Sequence, residues 1–467
     1  MNSYKKLVNN SIIFAVGTLG SKLVSFLLVP LYTYYLTTGE YGTVDLTITT
    51  VNMLIPIVSV SAYEAVLRFT MDKNEEPEII LTNSITIALI GFLVSLLFYP
   101  LLSYFNVMEG NLIYLYVILF AQMIERILAQ YTRALEKLKT FAFNGILLTF
   151  TTGLLNILFL VYFGMGIVGY YLAIILAYLL SAVFLFFATQ SYKGLRFSNN
   201  NLSTIKDLVS YAIPMIPNSL MWWLINASSR YFINWFVGIS MNGLFAVASR
   251  IPSLLNILYT VFNQAWQLSA IEEYENENKS EFYTTVFNNV TAFLFLGAFA
   301  IIVVIKVVFE LLFAQDYFAA WRVVPFLLLG TIFSSFSSYL GTNYVAAKQT
   351  KGVFKTSVYG GIISLALNTL FIPTIGVVGA GISSMVSFFI MFLIRYFDTR
   401  QFIELKINWW NFFLNVIIIF VQFGIMTIGL NRQIELLIGV ILFVILLYIN
   451  RTILTSFSKL IKLFLKK

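Results

Sequence analysis

The sequence predicts an all-α integral membrane protein with fourteen transmembrane helices, arranged as two six-helix bundles in a parallel repeat plus two C-terminal helices. Three observations predict this fold class. Apolar residues make up 59% of the 467 residues and charged residues only 11%, whereas soluble domains carry about 25% charged residues. The apolar residues form segments of about 20 residues or more, the length that crosses a bilayer. The two halves of the chain also resemble each other in sequence.

Fourteen apolar segments are long enough to span a membrane, and short polar connections separate them. We number them spans 1 to 14, and in chain order they are 11–36, 42–69, 79–103, 111–133, 141–163, 167–190, 208–237, 241–272, 282–313, 319–347, 353–373, 378–397, 408–430 and 434–450. The predicted organisation is an N-terminal bundle at 1–190, a cytoplasmic linker at 191–207, a C-terminal bundle at 208–397, spans 13 and 14 within 398–450, and a tail at 451–467. The tail is basic and amphipathic, which predicts a helix on the inner leaflet.

The basic residues predict the orientation of the spans. With the N-terminus inside, 22 of the 29 Lys and Arg lie in or beside inner segments, and the outer turns hold only Arg322 and Arg432. This distribution follows the positive-inside rule and predicts that both termini are cytoplasmic. The net charge of +8 therefore indicates topology, and we expect no nucleic-acid partner.

Several kinds of chemistry are excluded or disfavoured by composition. The chain has no cysteine and no histidine, which excludes disulfides, Cys/His metal sites and the commonest general base. The outer turns, such as TTGEYG and FGMGIVG, are too short to form a catalytic domain. We therefore expect a protein that is not an enzyme and that has no metal and no cofactor.

An internal repeat relates the two halves. EYGTVDLTITTVNML in span 2 matches SMNGLFAVASRIPSLL in span 8 at an offset of 201. Farther along, Asn156 in NILFLVYFGMGIVG corresponds to Asn368, and Gly166 corresponds to Gly376. Matched segments occupy the same topological position, so the repeat is parallel. Paired repeats are typical of transporters whose substrate site lies between the halves near the membrane midplane.

Polar residues follow one face of several spans. In span 2 they recur at steps of four and three, which places on one helical face Asp45, Thr49, Asn52, Pro56, Ser59 and Tyr63. Similar stripes occur in spans 1, 7 and 8. Such stripes also serve as contacts between membrane helices, but their recurrence on equivalent spans favours a water-filled cavity between the halves. The predicted polar lining comprises Thr18, Ser25, Thr49, Asn52, Asn226, Ser253 and Asn256.

Three cations lie within the same spans, namely Lys22, Arg230 and Arg250. An arginine near the bilayer core costs about 2.5–3.5 kcal/mol on insertion scales, which a hydrated cavity would largely remove. Together they predict a binding site for an anion that carries phosphate, because arginine binds phosphate in a bidentate manner. The carboxylates of Asp45 and Glu64 are candidate sites for a coupling ion, H⁺ or Na⁺.

Four further charged residues within the spans are predicted either to form local structural pairs or to extend their side chains toward the membrane surface. Glu125 and Arg126 are neighbours in span 4, and Lys306 and Glu310 are separated by four residues in span 9, the spacing of a helical ion pair. We expect these residues to have structural roles rather than to bind substrate.

The chain resembles the bacterial polysaccharide flippases, that is, the Wzx-type oligosaccharide flippases of the multidrug/oligosaccharidyl-lipid/polysaccharide (MOP, MATE-like) exporter superfamily. The resemblance covers essentially the whole length. It rests on GTLGSKLVSFLLVPLYTYYLTTGEYGTVDL, ALEKLKT, NILFLVYFGMGIVG and ASRIPSLLN. It implies a V-shaped fold in which spans 1, 2, 7 and 8 line the cavity.

The resemblance also implies a function. The expected substrate is an oligosaccharide repeat unit linked through pyrophosphate to a polyprenyl lipid of the undecaprenyl type, moved by alternating access from the inner to the outer leaflet of the bacterial cytoplasmic membrane. This step serves capsule, exopolysaccharide or other surface glycan synthesis, and the expected partners are membrane lipids, a polymerase and other glycan-assembly proteins. An H⁺ or Na⁺ gradient and withdrawal of product by polymerisation are alternative energy sources.

Three alternatives remain at this stage. A lipid II-type flippase would share the fold and the pyrophosphate-linked substrate. A drug/ion antiporter would need a cavity dominated by carboxylates, and the charge count leans the other way. A membrane polymerase or glycosyltransferase would need a loop with catalytic side chains, which the short connections disfavour.

Overall fold

A computed structural model of the protein describes residues 20–72, 76–105, 108, 110–195, 201–347 and 349–451. Within these ranges the chain forms helices joined by short connections and no β-strand. The helices up to Ala227 are α1 (20–35), α2 (Thr38–Val58), α3 (Ala62–Thr70), α4 (Pro77–Leu96), α5 (Tyr99–Tyr104), α6 (Leu112–Ala134), α7 (Leu138–Asn156), α8 (Gly166–Ala188), α9 (Leu202–Ala212) and α10 (Met215–Ala227). Those that follow are α11 (Ser229–Phe236), α12 (Ile239–Glu272), α13 (Lys279–Leu312), α14 (Val324–Ala346), α15 (Thr350–Thr399), α16 (Trp409–Ile428) and α17 (Arg432–Ile449).

Twelve helical segments of the described chain are long and apolar enough to cross a membrane. The longest helix, α15, has 50 residues and would be about 75 Å long if straight, more than twice the roughly 30 Å of a bilayer core. It holds two spans, because Ile375 and Gly376 have non-helical backbone angles at a kink. Span 1 begins before the first described residue. The protein is therefore a multi-pass membrane protein, and the structure is consistent with fourteen spans.

The chain folds into two compact units, Met1–Ala227 and Ser228–Lys467. The boundary falls inside predicted span 7, where α10 ends and α11 begins. In the N-terminal unit α10 packs against α2, and in the C-terminal unit α11 packs against α12 and α15. The predicted linker at 191–207 contains a short 3₁₀ turn at Ser191–Lys193 and the first residues of α9.

The repeat is visible in the turns that join spans 5 to 6 and 11 to 12. The predicted counterparts Gly166 and Gly376 both have positive φ angles, 54° and 63°. Positive φ is readily adopted by glycine but strained for residues with a Cβ atom. The matched glycines thus mark the same turn in each half.

The next matched pair of glycines shows the same close approach of helices. A Cβ atom at Gly169 would lie 3.2 Å from the carbonyl oxygen of Phe159, and one at Gly379 would lie 2.3 Å from that of Phe371. In each half, the glycine near the start of the later span allows that span to approach the backbone at the end of the preceding span. Both contacts fall at positions that the sequence repeat aligns.

Span 2 is divided into two helices. It begins with a capping box, in which the Oγ1 atom of Thr37 accepts from the backbone N–H of Glu40 at 3.2 Å and the Glu40 carboxylate accepts from the N–H of Thr37 at 2.9 Å. It breaks after Val58, where Val60 and Ser61 both have left-handed backbone conformations. Helix α2 alone has 21 residues and is about 31 Å long, enough to cross the bilayer core.

Aromatic packing holds span 13 to the C-terminal unit. Phe336 on α14, Phe392 on α15 and Phe412 on α16 are all buried. The ring centroids are 5.4 Å apart for Phe336 and Phe392 and 6.1 Å apart for Phe392 and Phe412. Such aromatic pairs add about 0.5–1.5 kcal/mol each beyond their burial, so α16 belongs to the core of this unit.

Candidate substrate-binding site

Span 1 contributes one predicted cation and one predicted polar residue from the described part of α1. Lys22 and Ser25 are both exposed on this helix. The Ser25 hydroxyl donates to the carbonyl oxygen of Ser21 at 2.9 Å, a bond within its own helix that leaves the helix surface polar. Thr18 lies outside the described residues.

Helix α2 presents its predicted stripe partly to other helices. Asp45 and Thr49 are each 8% exposed, whereas Asn52 is exposed. The side-chain amide of Gln122 on α6 donates to Asn52 Oδ1 at 3.3 Å. Asn52 is thus held from one side by a polar partner and remains open on the other. Glu64 lies on α3, beyond the break in span 2, and is half-buried.

A tryptophan fixes helix α10 to this stripe. The indole N–H of Trp223 donates to the backbone carbonyl oxygen of Thr49 at 2.9 Å. The same helix carries Asn226, which is exposed and donates from Nδ2 to the carbonyl oxygen of Trp222 at 2.8 Å. A stripe of polar residues does not identify a donor on another helix that bonds to its backbone.

The C-terminal unit brings two predicted arginines onto neighbouring helices. Arg230 lies near the start of α11, and its guanidinium carbon is 5.6 Å from the centroid of the Phe245 ring on α12. Arg250 lies five residues beyond Phe245 on the same helix, about 7.5 Å along the axis. Both arginines are half-buried. Both arginines therefore belong to the packed pair of helices α11 and α12 in this unit.

Helix α12 also carries two predicted polar positions beside Arg250. The Ser253 hydroxyl donates to the carbonyl oxygen of Arg250 at 2.5 Å, next to Pro252, which lacks the N–H that a helix residue normally donates. Asn256 is exposed near the middle of this 34-residue helix. Ser253 is three residues from both Arg250 and Asn256, so its side chain neighbours each of them on the helix surface.

Several predicted lining residues are exposed although they lie within predicted membrane spans. They are Lys22, Ser25, Asn52, Asn226 and Asn256. Polar side chains that face lipid tails are disfavoured, because nothing there satisfies their hydrogen bonds. Ser25 and Asn226 already donate to carbonyl oxygens of their own helices, whereas the exposed side chains of Lys22, Asn52 and Asn256 are candidates for a water-facing surface.

The predicted pair of Glu125 and Arg126 is wrong. The Glu125 carboxylate instead accepts from Asn144 Nδ2 at 2.9 Å. The Ser181 hydroxyl lies 2.8 Å from Asn144 Oδ1 and 3.2 Å from the Glu125 carboxylate, so its one proton is shared between these two acceptors. The guanidinium of Arg126 lies 5.2 Å from the centroid of the Tyr63 ring. Adjacent residues point to different faces of a helix, so their side chains reach different neighbours. Sequence reasoning missed this buried polar cluster, which joins α6, α7 and α8 in the N-terminal unit.

The predicted pair of Lys306 and Glu310 is also wrong, since each residue has its partner on α17. Lys306 Nζ lies 2.8 Å from Glu435 Oε2, and Arg432 forms a bidentate pair with Glu310. The two ion pairs tie α17 to α13. None of these four residues belongs to the predicted substrate site.

These features are typical of one class of protein. Membrane-spanning helices with exposed amides, an exposed lysine and half-buried arginines are typical of transporters of polar or anionic solutes. Among the described residues no cluster of acidic, histidine or cysteine side chains could hold a metal ion.

The family is identified by comparison of the sequence. A family profile described as "Polysaccharide biosynthesis protein" matches residues 7–267, more than half of the chain. The chain belongs to this family.

Two curated proteins are similar in sequence. The probable low-salt glycan biosynthesis flippase Agl15 of Haloferax volcanii is 24% identical over 267 residues, which are 51% of this chain and 55% of that protein. The capsular polysaccharide biosynthesis protein CapF of Staphylococcus aureus is 21% identical over 206 residues, 44% of this chain and 52% of that protein. The chain thus spans about half the length of the curated relatives it matches.

Solved structures share the fold. The lipid II flippase MurJ in an inward closed conformation has a TM-score of 0.71 at 15% identity, and the match covers 93% of this chain and 98% of that one. An inward-facing multidrug resistance MATE family transporter of the MOP superfamily has a TM-score of 0.67 at 15% identity, covering 81% and 94%. The predicted membrane fold of the MATE-like type is confirmed.

Proposed function

We propose that the protein is a flippase that moves a polyprenyl-pyrophosphate-linked oligosaccharide from the inner to the outer leaflet of a bacterial cytoplasmic membrane. Membership of the polysaccharide biosynthesis family supports a role in glycan assembly. The similarity to a probable glycan biosynthesis flippase and to a capsular polysaccharide biosynthesis protein supports transport of a lipid-linked glycan for capsule or another surface polysaccharide. An undecaprenyl carrier and a downstream polymerase are the expected lipid and partner.

The observation that carries the proposal is the polar, cationic surface within the spans. Arg230 and Arg250 lie on packed helices of one unit, and Asn256 is exposed on the same helix as Arg250. Guanidinium groups bind phosphate oxygens in a bidentate manner and remain charged at all physiological pH values. We assign these two arginines to the pyrophosphate and the exposed amides to the sugars, because an amide both donates to and accepts from hydroxyls. Lys22 is proposed as a further phosphate contact.

The proposed mechanism needs no chemistry on the substrate. The charged head group leaves the inner leaflet for the hydrated surface, while the prenyl chain stays in lipid, and alternating access then exposes the head group to the outer face. The protein is accordingly proposed to be a transporter rather than an enzyme, with no metal and no organic cofactor. Both termini are placed in the cytoplasm on the strength of the basic residues of the inner segments.

Energy coupling is proposed to involve a carboxylate of the N-terminal unit or withdrawal of product. Asp45 is buried on α2, and Glu64 is half-buried on α3. Each is a candidate for binding H⁺ or Na⁺. A transport rate in vesicles that is unchanged by both Asp45→Asn and Glu64→Gln would assign the drive to downstream polymerisation instead.

Transport by arginine variants in proteoliposomes tests the proposal. Purified protein is reconstituted with a polyprenyl-pyrophosphate-linked oligosaccharide, and its appearance on the opposite leaflet is followed with a membrane-impermeant glycosidase. Arg230→Ala and Arg250→Ala are each expected to slow transport at least tenfold, and the lysine variants less, because lysine keeps the charge but loses the bidentate geometry.

Arg322→Ala is the matched control. Arg322 is exposed and lies against Trp321 in a 3₁₀ segment. It belongs to none of the predicted polar stripes. The Arg322→Ala variant is expected to transport at the wild-type rate. Equal rates for wild type, Arg230→Ala and Arg250→Ala would show that these arginines do not bind the substrate.

A further inference from the structure

The C-terminal unit contains a cavity of about 360 Å³ that the proposed transport function does not use. It lies between α13, α16 and α17, and it is lined by Thr285, Phe287, Asn288, Asn289, Thr291, Ile407, Asn408, Asn411, Phe412, Asn415, Ile449 and Asn450. Half of these residues are asparagines, and none carries a charge. Its volume is within the range of small-molecule sites.

Part of this polar lining is already satisfied within the protein. Asn450 Nδ2 donates to Asn415 Oδ1 at 2.7 Å, and Asn415 Nδ2 donates to the carbonyl oxygen of Asn411 at 2.7 Å. Asn408 caps α16 by accepting from the backbone N–H of Asn411 at 3.1 Å. These bonds fix one wall of the cavity in place.

Among the described residues, several other polar side chains of the lining have no hydrogen-bond partner, including Asn288, Thr291 and Asn411. Within the described part of the chain, the Thr291 hydroxyl is buried without a hydrogen bond. The side-chain amides of Asn288 and Asn411 line the cavity and make no hydrogen bond to any described residue. A buried hydroxyl without a hydrogen bond is unfavourable, so these groups favour an occupant that can hydrogen-bond.

The position of the cavity indicates what such an occupant is. Asn411 lies in the first turn of α16, directly after Trp410, which is 74% exposed. Exposed tryptophans at the end of a membrane helix mark the level of the lipid headgroups. The cavity therefore lies where α16 enters the membrane, at headgroup depth.

We propose that this cavity binds the uncharged, hydroxyl-rich headgroup of a membrane lipid, such as a glycosyl headgroup. Amide and hydroxyl side chains both donate and accept, which matches sugar hydroxyls. The described lining residues include no cation, so they would bind a bare phosphate without neutralising it. The buried ring of Phe412 supplies an apolar surface against which the face of a sugar ring can pack.

Lipid retention measured by native mass spectrometry tests the inference. The protein is placed in phosphatidylcholine nanodiscs that contain glucosyl-diacylglycerol or, in a parallel sample, diacylglycerol without sugar. The wild-type protein is expected to retain the glucosyl lipid at least tenfold better than the plain one. The double variant Asn288→Leu/Asn411→Leu is expected to lose this preference, and Gln401→Leu, an exposed amide outside the cavity, is expected to keep it.

Two further measurements complete the test. One distinguishes a lipid from a soluble sugar, and the other applies if the double variant does not fold. Competition by millimolar glucose would assign the site to a soluble sugar rather than to a lipid. If the double variant does not fold, Thr291→Val removes one hydroxyl at nearly constant volume and is expected to reduce the preference about threefold or more. Equal retention of both lipids by the wild type, or an unchanged preference in every cavity variant, would overturn the proposal. Neither result depends on whether the protein transports a glycan.

Discussion

Replacing Lys306 by methionine is expected to destabilise the C-terminal unit by about 3–5 kcal/mol, the cost of breaking a buried ion pair. Lys306 is 9% exposed and its partner Glu435 only 2%. The ammonium group also donates to the carbonyl oxygen of Met426 at 2.6 Å and lies 4.7 Å from the centroid of the Trp321 ring. Methionine keeps most of the volume, so the expected loss comes from leaving the Glu435 carboxylate buried without its cation.

The second ion pair between the same two helices provides the control. Glu310 and Arg432 have 42% and 35% of their side-chain surface exposed, and pairs of this kind contribute about 0.2–1 kcal/mol. Arg432→Met is therefore expected to cost less than about 1 kcal/mol, although it also removes a bidentate pair between α17 and α13. The difference in unfolding free energy between Lys306→Met and Arg432→Met reports the effect of burial on the ion pair.

The assay is unfolding of the purified protein by SDS titration in mixed micelles, with a double-mutant cycle on Lys306 and Glu435. The double variant Lys306→Met/Glu435→Leu is expected to recover most of the loss, because replacing both partners of a buried pair by apolar residues is often neutral or stabilising. Equal losses for Lys306→Met and Arg432→Met, or a double variant that loses the sum of the single losses, would refute the reasoning.

Three further substitutions follow from the packing, each measured by the same titration. Glu125→Leu leaves the Asn144 amide without its acceptor, while the Ser181 hydroxyl keeps Asn144 Oδ1 at 2.8 Å, and the variant is expected to cost about 1–3 kcal/mol. Glu125→Gln keeps an acceptor and is expected to cost clearly less, and equal losses would contradict the assigned hydrogen bond. Gly376→Ala places a Cβ on a residue with φ of 63° and ψ of −143° and is expected to cost about 1–3 kcal/mol, so a neutral result would show that the turn has another geometry. Gly91→Ala would place a Cβ 1.9 Å from a backbone carbonyl oxygen of α2 and is expected to cost at least 1–3 kcal/mol, roughly the penalty of overpacking; full stability would contradict this close approach.

The sequence was sufficient to predict the membrane fold and the repeat, because both depend on patterns that are local or periodic. Apolar segments of bilayer length predicted the spans. The aligned glycines Gly166 and Gly376 predicted equivalent turns, and both have positive φ. Both features depend on the local sequence alone. The spans follow from the hydrophobicity of consecutive side chains, and the turns follow from the backbone freedom of glycine.

The ion pairs were not predictable in the same way. The spacing of Lys306 and Glu310 satisfies the rule for helical pairs, yet both residues select partners on α17. Local spacing gives the geometry of one candidate pair only, and the competing partner lies more than a hundred residues away. Burial decided the outcome, since Glu435 would otherwise be a buried carboxylate without a cation.

The predicted substrate site stays a prediction. The structure puts Arg230 and Arg250 on packed helices of one unit, a contact between helices that the sequence alone did not indicate. The donor from Trp223 to the Thr49 carbonyl could not be foreseen, because hydropathy patterns give the face of a residue but not its partner on another helix. The break of span 2 at Val60 and Ser61 was not predictable either. Hydropathy does not report backbone conformation, and neither residue is a glycine or proline.

The leaflet on which the lipid-linked oligosaccharide accumulates in cells depleted of this protein tests the central claim most directly. Right-side-out and inverted membrane vesicles are prepared from depleted cells, and a membrane-impermeant lectin reports which face carries the glycan. The account predicts that the glycan is accessible in inverted vesicles only, and that restoring the protein makes it accessible in right-side-out vesicles. Accumulation on the outer face after depletion would contradict the account, because the missing step would then follow translocation.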